Sequence, residues 1–180
     1  MLAGVSYKFL LVSFVCNVIW LSYSLRIDNM DLIVINGLAT IISCFFLSLY
    51  IYVKIKIGHH QKSFLLLLLS IPIIGVCYSS YLTTQQTGIL ATASSVCMYA
   101  ASLDSISMTL KTRDSKTVNM GIVIASVING FIWMLYAILK RDIYVLTPNI
   151  AALCSAFLQL NLYKWTKGHI GNSHWFIQKL

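Results

Sequence analysis

The sequence predicts an all-α integral membrane protein with six transmembrane helices. The first observation is composition: of 180 residues, 58% are hydrophobic and only 10% are charged, with a mean hydropathy of +0.81, whereas soluble domains carry about 25% charged residues. The second is that six apolar stretches each come close to the roughly 20 residues that a helix needs to cross a bilayer core. These stretches are 5–25, 31–53, 63–82, 88–110, 118–139 and 143–163. The breaks between them are too short to hold a soluble domain.

The third observation is an internal repeat. The stretch WLSYSLRIDNMDLIVIN, Trp20 to Asn36, returns as WMLYAILKRDIYVLTPN, Trp133 to Asn149. A shift of 113 residues, from 20 to 133, aligns 13–50 with 126–163 without a gap. Because the copies lie four spans apart, both should run in the same direction through the membrane. Parallel repeats are a building plan of transporters, with the substrate site at the repeat interface.

The repeat divides the chain into four predicted parts. In order, these are an incomplete first repeat of two helices at 1–53, a linker helix with flanking loops at 54–87, a second repeat of three helices at 88–166, and a tail at 167–180. The fourth span precedes the second copy, but no span precedes the first. We therefore expect a further helix upstream, without which Asn17, Ser13 and one side of Trp20 would face lipid.

Positive charge predicts the topology. If the six spans alternate in direction, ten Lys and Arg residues collect on one side and three on the other. Because the side richer in Lys and Arg is normally cytosolic, the loop 54–62, the tail and the C-terminus should face the cytosol. The net charge of +8 thus belongs to loops next to the membrane and not to a nucleic-acid interface.

Four residues are candidates for substrate binding: Trp20, Trp133, Asn36 and Asn149. Counted at 1.5 Å per residue, all four should lie at roughly the same depth, about 8 to 9 Å below the non-cytosolic surface. A carboxamide donates to and accepts from neighbouring hydroxyls, and an indole face covers the apolar face of a ring, so the pattern suits a neutral polyhydroxylated ligand. Helix linkage by Asn and interfacial anchoring by Trp explain any one of the four, but the duplication favours binding.

Other polar and reactive residues indicate little chemistry. Four tyrosines near span ends are explained by the interfacial aromatic belt: Tyr23, Tyr136, Tyr50 and Tyr163. The five cysteines lie in apolar spans without CxxC spacing and are expected to be buried free thiols. The chain has no Glu, and Asp104 is the only carboxylate deep inside an apolar span, for which we expect no role in proton coupling. No metal-ligand spacing and no hydrolase triad occurs, so we expect neither an enzyme nor a cofactor.

Several motifs resemble those of the SWEET sugar transporters, also called the MtN3/saliva family: NVIWLSY, VINGLA, MYAASL, INGFIWMLYAILKRDIYVLTPNIA and LQLNLY. The resemblance implies seven helices, arranged as two parallel three-helix repeats and a linker, of which this chain lacks the first. It also implies that Asn36 and Asn149 are the paired sugar-binding asparagines and that Trp20 and Trp133 flank the sugar.

The chain departs from this family at its hinge prolines. Where family members have these prolines, this chain has Ser102 in span four, Gly121 near the start of span five and Phe9 in span one. A proline removes a backbone hydrogen bond and lets a helix bend, so these three residues are the gating candidates, with Gly121 as a partial substitute.

The resemblance implies facilitated, bidirectional movement of mono- or disaccharides by alternating access, in the plasma membrane or the Golgi membrane. The alternative is a non-transporting relative, either an assembly or trafficking partner or an inactive fragment, and the altered hinge positions support it. Expected partners are a small-molecule sugar, membrane lipid, and further copies of the chain or other membrane proteins.

Overall fold

The computed structural model describes residues 7–56, 81–98, 106–107, 109–112 and 118–177, with side chains omitted at 7–9 and 168–177. Five helices account for nearly all of these residues. They are α1 (Tyr7–Arg26), α2 (Met30–Lys56), α3 (Thr84–Met98), α4 (Met120–Lys140) and α5 (Ile143–Ile177). The predicted all-α fold class is confirmed.

Three of these helices have segments long and apolar enough to cross a bilayer: Met30–Lys56, Met120–Lys140 and Ile143–Lys167, with Leu10–Arg26 as a shorter apolar helix. They match the predicted spans 31–53, 118–139, 143–163 and most of 5–25. The predicted span 63–82 lies almost entirely outside the described residues, as does part of 88–110. Helix α5 continues beyond its predicted span to Ile177, into the segment predicted as a tail.

The first compact unit, Met1–Met98, is built on α1, which packs against both α2 and α3. Its buried apolar residues are Cys16, Val18, Ile19, Tyr23, Leu32, Leu47, Ile51 and Ala91. Thr83 and Gln86 form a capping box at the start of α3, since each side chain accepts from the other residue's backbone N–H, at 2.9 and 3.2 Å. The outward faces of these helices are aliphatic and aromatic, as lipid contact requires.

The second compact unit, Tyr99–Leu180, is built on the packing of α4 against α5. Val118, Val123 and Ala156 form its buried cluster, covered by Met120, Val127, Leu160 and Tyr163. Gly130 allows a close approach of the two helices, because a Cβ there would lie 2.8 Å from Leu153 Cγ. The boundary between the compact units falls after Met98, so contacts alone group α3 with α1 and α2. The division into repeats at residue 88 stays a prediction.

The turns between α1 and α2 and between α4 and α5 have the same local structure. Asp28 and Arg141, 113 positions apart, are the non-glycine residues with positive φ in the described chain, at 50° and 55°. Asn29 N–H donates to Ser24 O at 3.1 Å, and Asp142 N–H donates to Ala137 O at 2.9 Å. Two sequences with few shared turn residues therefore form one turn, which supports the repeat at the level of backbone geometry.

The helix after each turn is capped in the same way. Asn29 Oδ1 accepts from Leu32 N–H at 3.3 Å, and Asp142 Oδ1 accepts from Val145 N–H at 3.2 Å. An oxygen acceptor at the N-cap satisfies a backbone donor that has no partner within the helix. Charge is not needed for this function, which explains how Asn and Asp occupy equivalent positions.

The correspondence also extends beyond the aligned stretch. Lys54 Nζ lies 5.6 Å from the centre of the Tyr50 ring, and Lys167 Nζ lies 5.6 Å from the centre of the Tyr163 ring. Both pairs follow the same offset of 113, so the repeat continues to residues 54 and 167. A lysine four residues after a tyrosine reaches back over its ring on the same helix face.

The cysteine prediction is wrong for most of the described thiols. All four described cysteines are free, but Cys16 alone is buried, and Cys44, Cys97 and Cys154 are exposed. A free thiol behaves as a small hydrophobic group, so an outward position in an apolar helix costs little when the neighbour is lipid. Cys77 lies outside the described residues.

Candidate functional site

Trp20 is half-buried on α1 and is held by two contacts. Its indole Nε1–H donates to Ser95 Oγ on α3 at 2.8 Å, and its ring packs edge-on against Tyr23 with the centroids 5.8 Å apart. Tyr23 is 3% exposed, so the prediction that it belongs to an interfacial belt is wrong. It lies one turn from Trp20 on the side covered by neighbouring helices, where it supports the indole ring.

Asn36 is half-buried on α2, and its amide nitrogen is tied to the protein. Nδ2 donates to Leu32 O of the same helix at 2.9 Å and to Ser24 Oγ of α1 at 3.3 Å. The carboxamide thus has a defined orientation, with its oxygen left as an acceptor. A membrane-embedded acceptor of this kind suits a hydroxyl donor.

Trp133 and Asn149 repeat much of this arrangement in the second unit. Trp133 packs edge-on against Tyr136 with the ring centroids 5.5 Å apart, and Asn149 Nδ2 donates to Val145 O at 2.7 Å. Val145 corresponds to Leu32 under the shift of 113, so both asparagines bond the carbonyl four residues earlier. The sequence predicted that these residues are equivalent, and their local geometry agrees. Their role in binding sugar stays a prediction.

The two copies differ at the position of Ser24. Its equivalent is Ala137, and both residues are fully buried, at 0% exposure. The hydroxyl that accepts from Asn36 therefore has no counterpart at the equivalent position of the second copy. Sequence reasoning missed Ser24, although comparison of the two copies position by position could have singled it out as the polar member of a small-residue pair.

The sequence led us to expect that Asn17 would face lipid without hydrogen-bond partners, and this expectation is wrong. Its Nδ2 donates to Ala39 O at 3.2 Å and to Ser43 Oγ at 3.3 Å, both on α2. The indole N–H of Trp20 is likewise satisfied within the first unit. Interhelical hydrogen bonds remove the cost of unpaired polar groups in lipid, which is the physical reason for the correction.

The gating candidates are described only in part. Gly121 is the second residue of α4, after the N-cap Asn119, and it is exposed. Its N–H is one of the four that a helix start leaves without an intrahelical acceptor, so Gly in place of Pro changes no helix hydrogen bond at this point. Phe9 lies on α1, and Ser102 and Asp104 lie outside the described residues. The gating roles of Phe9, Gly121 and Ser102, and the expected lack of a coupling role for Asp104, stay predictions.

Comparison with known proteins finds a matching family model and similar relatives. Residues 85–168 match the MtN3_slv family model, described as a sugar efflux transporter for intercellular exchange. The chain is 26% identical over 155 residues to the sugar transporter SWEET1 of Dictyostelium discoideum, covering 81% of this chain and 70% of that protein. It is 27% identical over 154 residues to the bidirectional sugar transporter SWEET5 of Arabidopsis thaliana, covering 80% of this chain and 64% of the relative.

A solved structure of a eukaryotic SWEET transporter has the same fold. The TM-score is 0.81 at 19% sequence identity, with 93% of this chain and 82% of that chain covered. Against the curated relatives the chain is shorter: it spans 64% of the Arabidopsis protein and 52% of SWEET15 of Oryza sativa subsp. indica. The family match and the named relatives support the resemblance to the SWEET (MtN3/saliva) family, which is one of transporters and not of enzymes.

Proposed function

We propose that the chain carries mono- or disaccharides across a membrane by facilitated, bidirectional diffusion with alternating access. The observation that carries the proposal is the matched pair of asparagines. In each unit the carboxamide is anchored to the carbonyl four residues earlier, at 2.9 Å for Asn36 and 2.7 Å for Asn149. An anchored carboxamide presents its oxygen to a ligand with little loss of conformational entropy on binding.

The aromatic residues support the same ligand class. Trp20 and Trp133 are half-buried, and each is braced edge-on by the tyrosine three residues later. A braced indole offers an apolar face to the C–H groups of a sugar ring, while the asparagines offer polar groups to its hydroxyls. Relatives named as sugar transporters support this choice over other polyhydroxylated ligands.

Facilitated diffusion is preferred to proton symport because the sequence provides few acids. It has five Asp and Glu residues in total, and Asp104 alone lies deep in an apolar span. Proton-coupled carriers normally use intramembrane carboxylates that are paired or relayed. We further propose that the C-terminus is cytosolic, on the charge bias described above, and that the protein resides in the plasma membrane or the Golgi membrane.

Counterflow in proteoliposomes tests the proposal. Vesicles preloaded with unlabelled glucose or sucrose should accumulate the labelled sugar transiently, and collapse of a pH gradient by an ionophore should leave this overshoot unchanged. Empty vesicles and the Asn36→Ala/Asn149→Ala double variant are the controls. Absence of counterflow from correctly folded protein would favour the alternative, a family member that does not transport and instead assists assembly or trafficking.

A further inference from the structure

The amide group of Asn36 has no hydrogen left to offer a ligand. A carboxamide carries two N–H hydrogens, and Asn36 Nδ2 has two acceptors within the protein, Leu32 O at 2.9 Å and Ser24 Oγ at 3.3 Å. The group that remains is Oδ1, which only accepts. In this state Asn36 can bind a sugar hydroxyl that acts as a donor, but it cannot donate to one that acts as an acceptor.

Ser24 maintains this state because its own hydrogen is already used. Ser24 Oγ donates to Trp20 O at 2.6 Å, and the side chain is 0% exposed. Its oxygen is therefore an acceptor directed at Asn36. Rotation of the carboxamide by 180° would place Oδ1 against two acceptors, Ser24 Oγ and Leu32 O, which is unfavourable in a buried setting. The donor and acceptor in each hydrogen bond are therefore fixed: Asn36 donates to Ser24, and Ser24 donates to the carbonyl of Trp20.

The second copy is built differently at this point. Asn149 Nδ2 donates to Val145 O at 2.7 Å, and the position of Ser24 is taken by Ala137, which has no side-chain acceptor. In the described part of the chain, the second N–H of Asn149 meets no acceptor. Asn149 can therefore both donate to a ligand and accept from it.

We propose that Ser24 is a positioning residue that makes Asn36 an acceptor-only sugar contact, whereas Asn149 is both donor and acceptor. The inference rests on the proposed function, since it assumes that both asparagines contact sugar. It predicts that the two contacted hydroxyls differ: the one at Asn36 must donate, and the one at Asn149 is also recognised as an acceptor. The serine-alanine difference then determines part of the sugar specificity.

Monodeoxy and monodeoxyfluoro glucoses distinguish the two contacts. Fluorine cannot donate a hydrogen bond but still accepts weakly, whereas a deoxy position does neither. At the hydroxyl that contacts Asn36, the fluoro and deoxy analogues should bind equally poorly. At the hydroxyl that contacts Asn149, the fluoro analogue should bind better than the deoxy analogue. The measurement is competition of each analogue with labelled glucose for binding to the purified full chain, with one deoxy and one deoxyfluoro analogue for each hydroxyl.

Substitutions that exchange the two environments should exchange these preferences. Ser24→Ala frees one Asn36 N–H, so binding of the fluoro analogue at that hydroxyl should improve about three- to tenfold over the deoxy analogue. Ala137→Ser should abolish the corresponding preference at Asn149. Ser24→Thr retains the hydroxyl and should behave as the native protein. Ser22→Ala is the matched control, since Ser22 is on the same helix and also donates to a carbonyl four residues earlier, Val18 O at 3.0 Å.

The outcomes separate this inference from the function on which it rests. If Asn36→Ala and Asn149→Ala leave sugar binding unchanged, or if the folded native protein binds neither glucose nor sucrose, the sugar-binding role of the asparagines is overturned and the inference with it. If those variants weaken binding while Ser24→Ala and Ala137→Ser leave the fluoro-to-deoxy ratios unchanged, only the inference is overturned. The same follows if Ser24→Ala shifts the ratio equally when Asn36 is already Ala. Should Ser24→Ala fail to fold, Ala137→Ser decides the question alone.

Discussion

The indole Nε1–H of Trp20 donates to Ser95 Oγ at 2.8 Å, which ties α1 to α3 inside the first unit. Ser95 is 9% exposed, and its hydroxyl also lies 3.8 Å from Cys16 Sγ. A residue proposed to cover a sugar ring is thus also a structural link. The two roles are compatible because this hydrogen bond uses the edge of the indole and does not occupy its face.

Trp20→Phe should separate these roles, because it removes the donor and keeps an aromatic face. We expect the free energy of unfolding in detergent to fall by about 1 kcal/mol, from the loss of one buried hydrogen bond. A double-mutant cycle with Ser95→Ala should show a coupling of about 0.5 to 1.5 kcal/mol. Trp133→Phe is the control. Strictly additive effects of Trp20→Phe and Ser95→Ala would mean that the bond contributes nothing to stability.

Asn36→Ala and Asn149→Ala should each weaken sugar binding by about 1 to 3 kcal/mol, because a polar ligand group then loses its partner. Equilibrium binding of labelled sugar to purified protein measures this. Asn161→Ala is a matched control: Asn161 Nδ2 donates to Phe157 O four residues earlier, at 2.9 Å, but the residue is exposed. A loss of binding as large in Asn161→Ala as in the other two variants would indicate a general helix effect instead of a sugar contact.

Gly130→Ala should destabilise the second unit. The added Cβ would lie 2.8 Å from Leu153 Cγ and 2.9 Å from Leu153 Cδ2, and overpacking of this kind costs about 1 to 3 kcal/mol. Gly37→Ala offers a contrast within the same chain, because a Cβ at Gly37 meets no atom within 4 Å. That substitution should stabilise α2 by up to about 1 kcal/mol through helix propensity. Unfolding measurements that show the same sign for both variants would contradict the packing argument.

Arg141→Gly should stabilise the turn between α4 and α5 by about 0.5 to 1 kcal/mol, because Arg141 has φ at 55°, a region where L-residues with a Cβ are strained. Arg141→Val should destabilise it, since a β-branched residue fits this region poorly. Arg141→Lys, which keeps the positive charge and the Cβ, is the control for a change of side chain at this position. Asp28→Gly should act in the same direction at the other turn, where φ is 50°. The unfolding midpoint in detergent is the measurement, and a lower midpoint for both glycine variants would argue against strain.

The loop 54–62 and the segment after Lys164 should be cytosolic. Single cysteines placed there should react with a membrane-impermeant maleimide only after cells are permeabilised. The labelling starts from a cysteine-free variant, so that only the introduced cysteines can react. Reaction from outside intact cells would reverse the predicted orientation.

The sequence alone determined the membrane class, most of the helix positions and the existence of two related helical hairpins. Hydrophobicity and the length of an apolar stretch are local properties of the sequence. Membrane-spanning helices can therefore be predicted from them without knowledge of tertiary contacts. The candidates Trp20, Asn36, Trp133 and Asn149 could likewise be found by aligning the chain with itself. Even the equivalence of Asp28 and Arg141 was present in that alignment, although nothing in their chemistry suggested a shared positive φ.

The tertiary structure decided which polar groups already have hydrogen-bond partners within the protein. Three features depend on which helix faces meet: the burial of Tyr23, the bond from Trp20 to Ser95, and the position of Ser24 beside Asn36. The sequence does not determine which faces meet, because the apolar helices are similar in composition. The hydrogen bonds that remain for a ligand are those left after the helices have packed. For that reason the difference between Asn36 and Asn149 became visible only once the partners of each N–H were known.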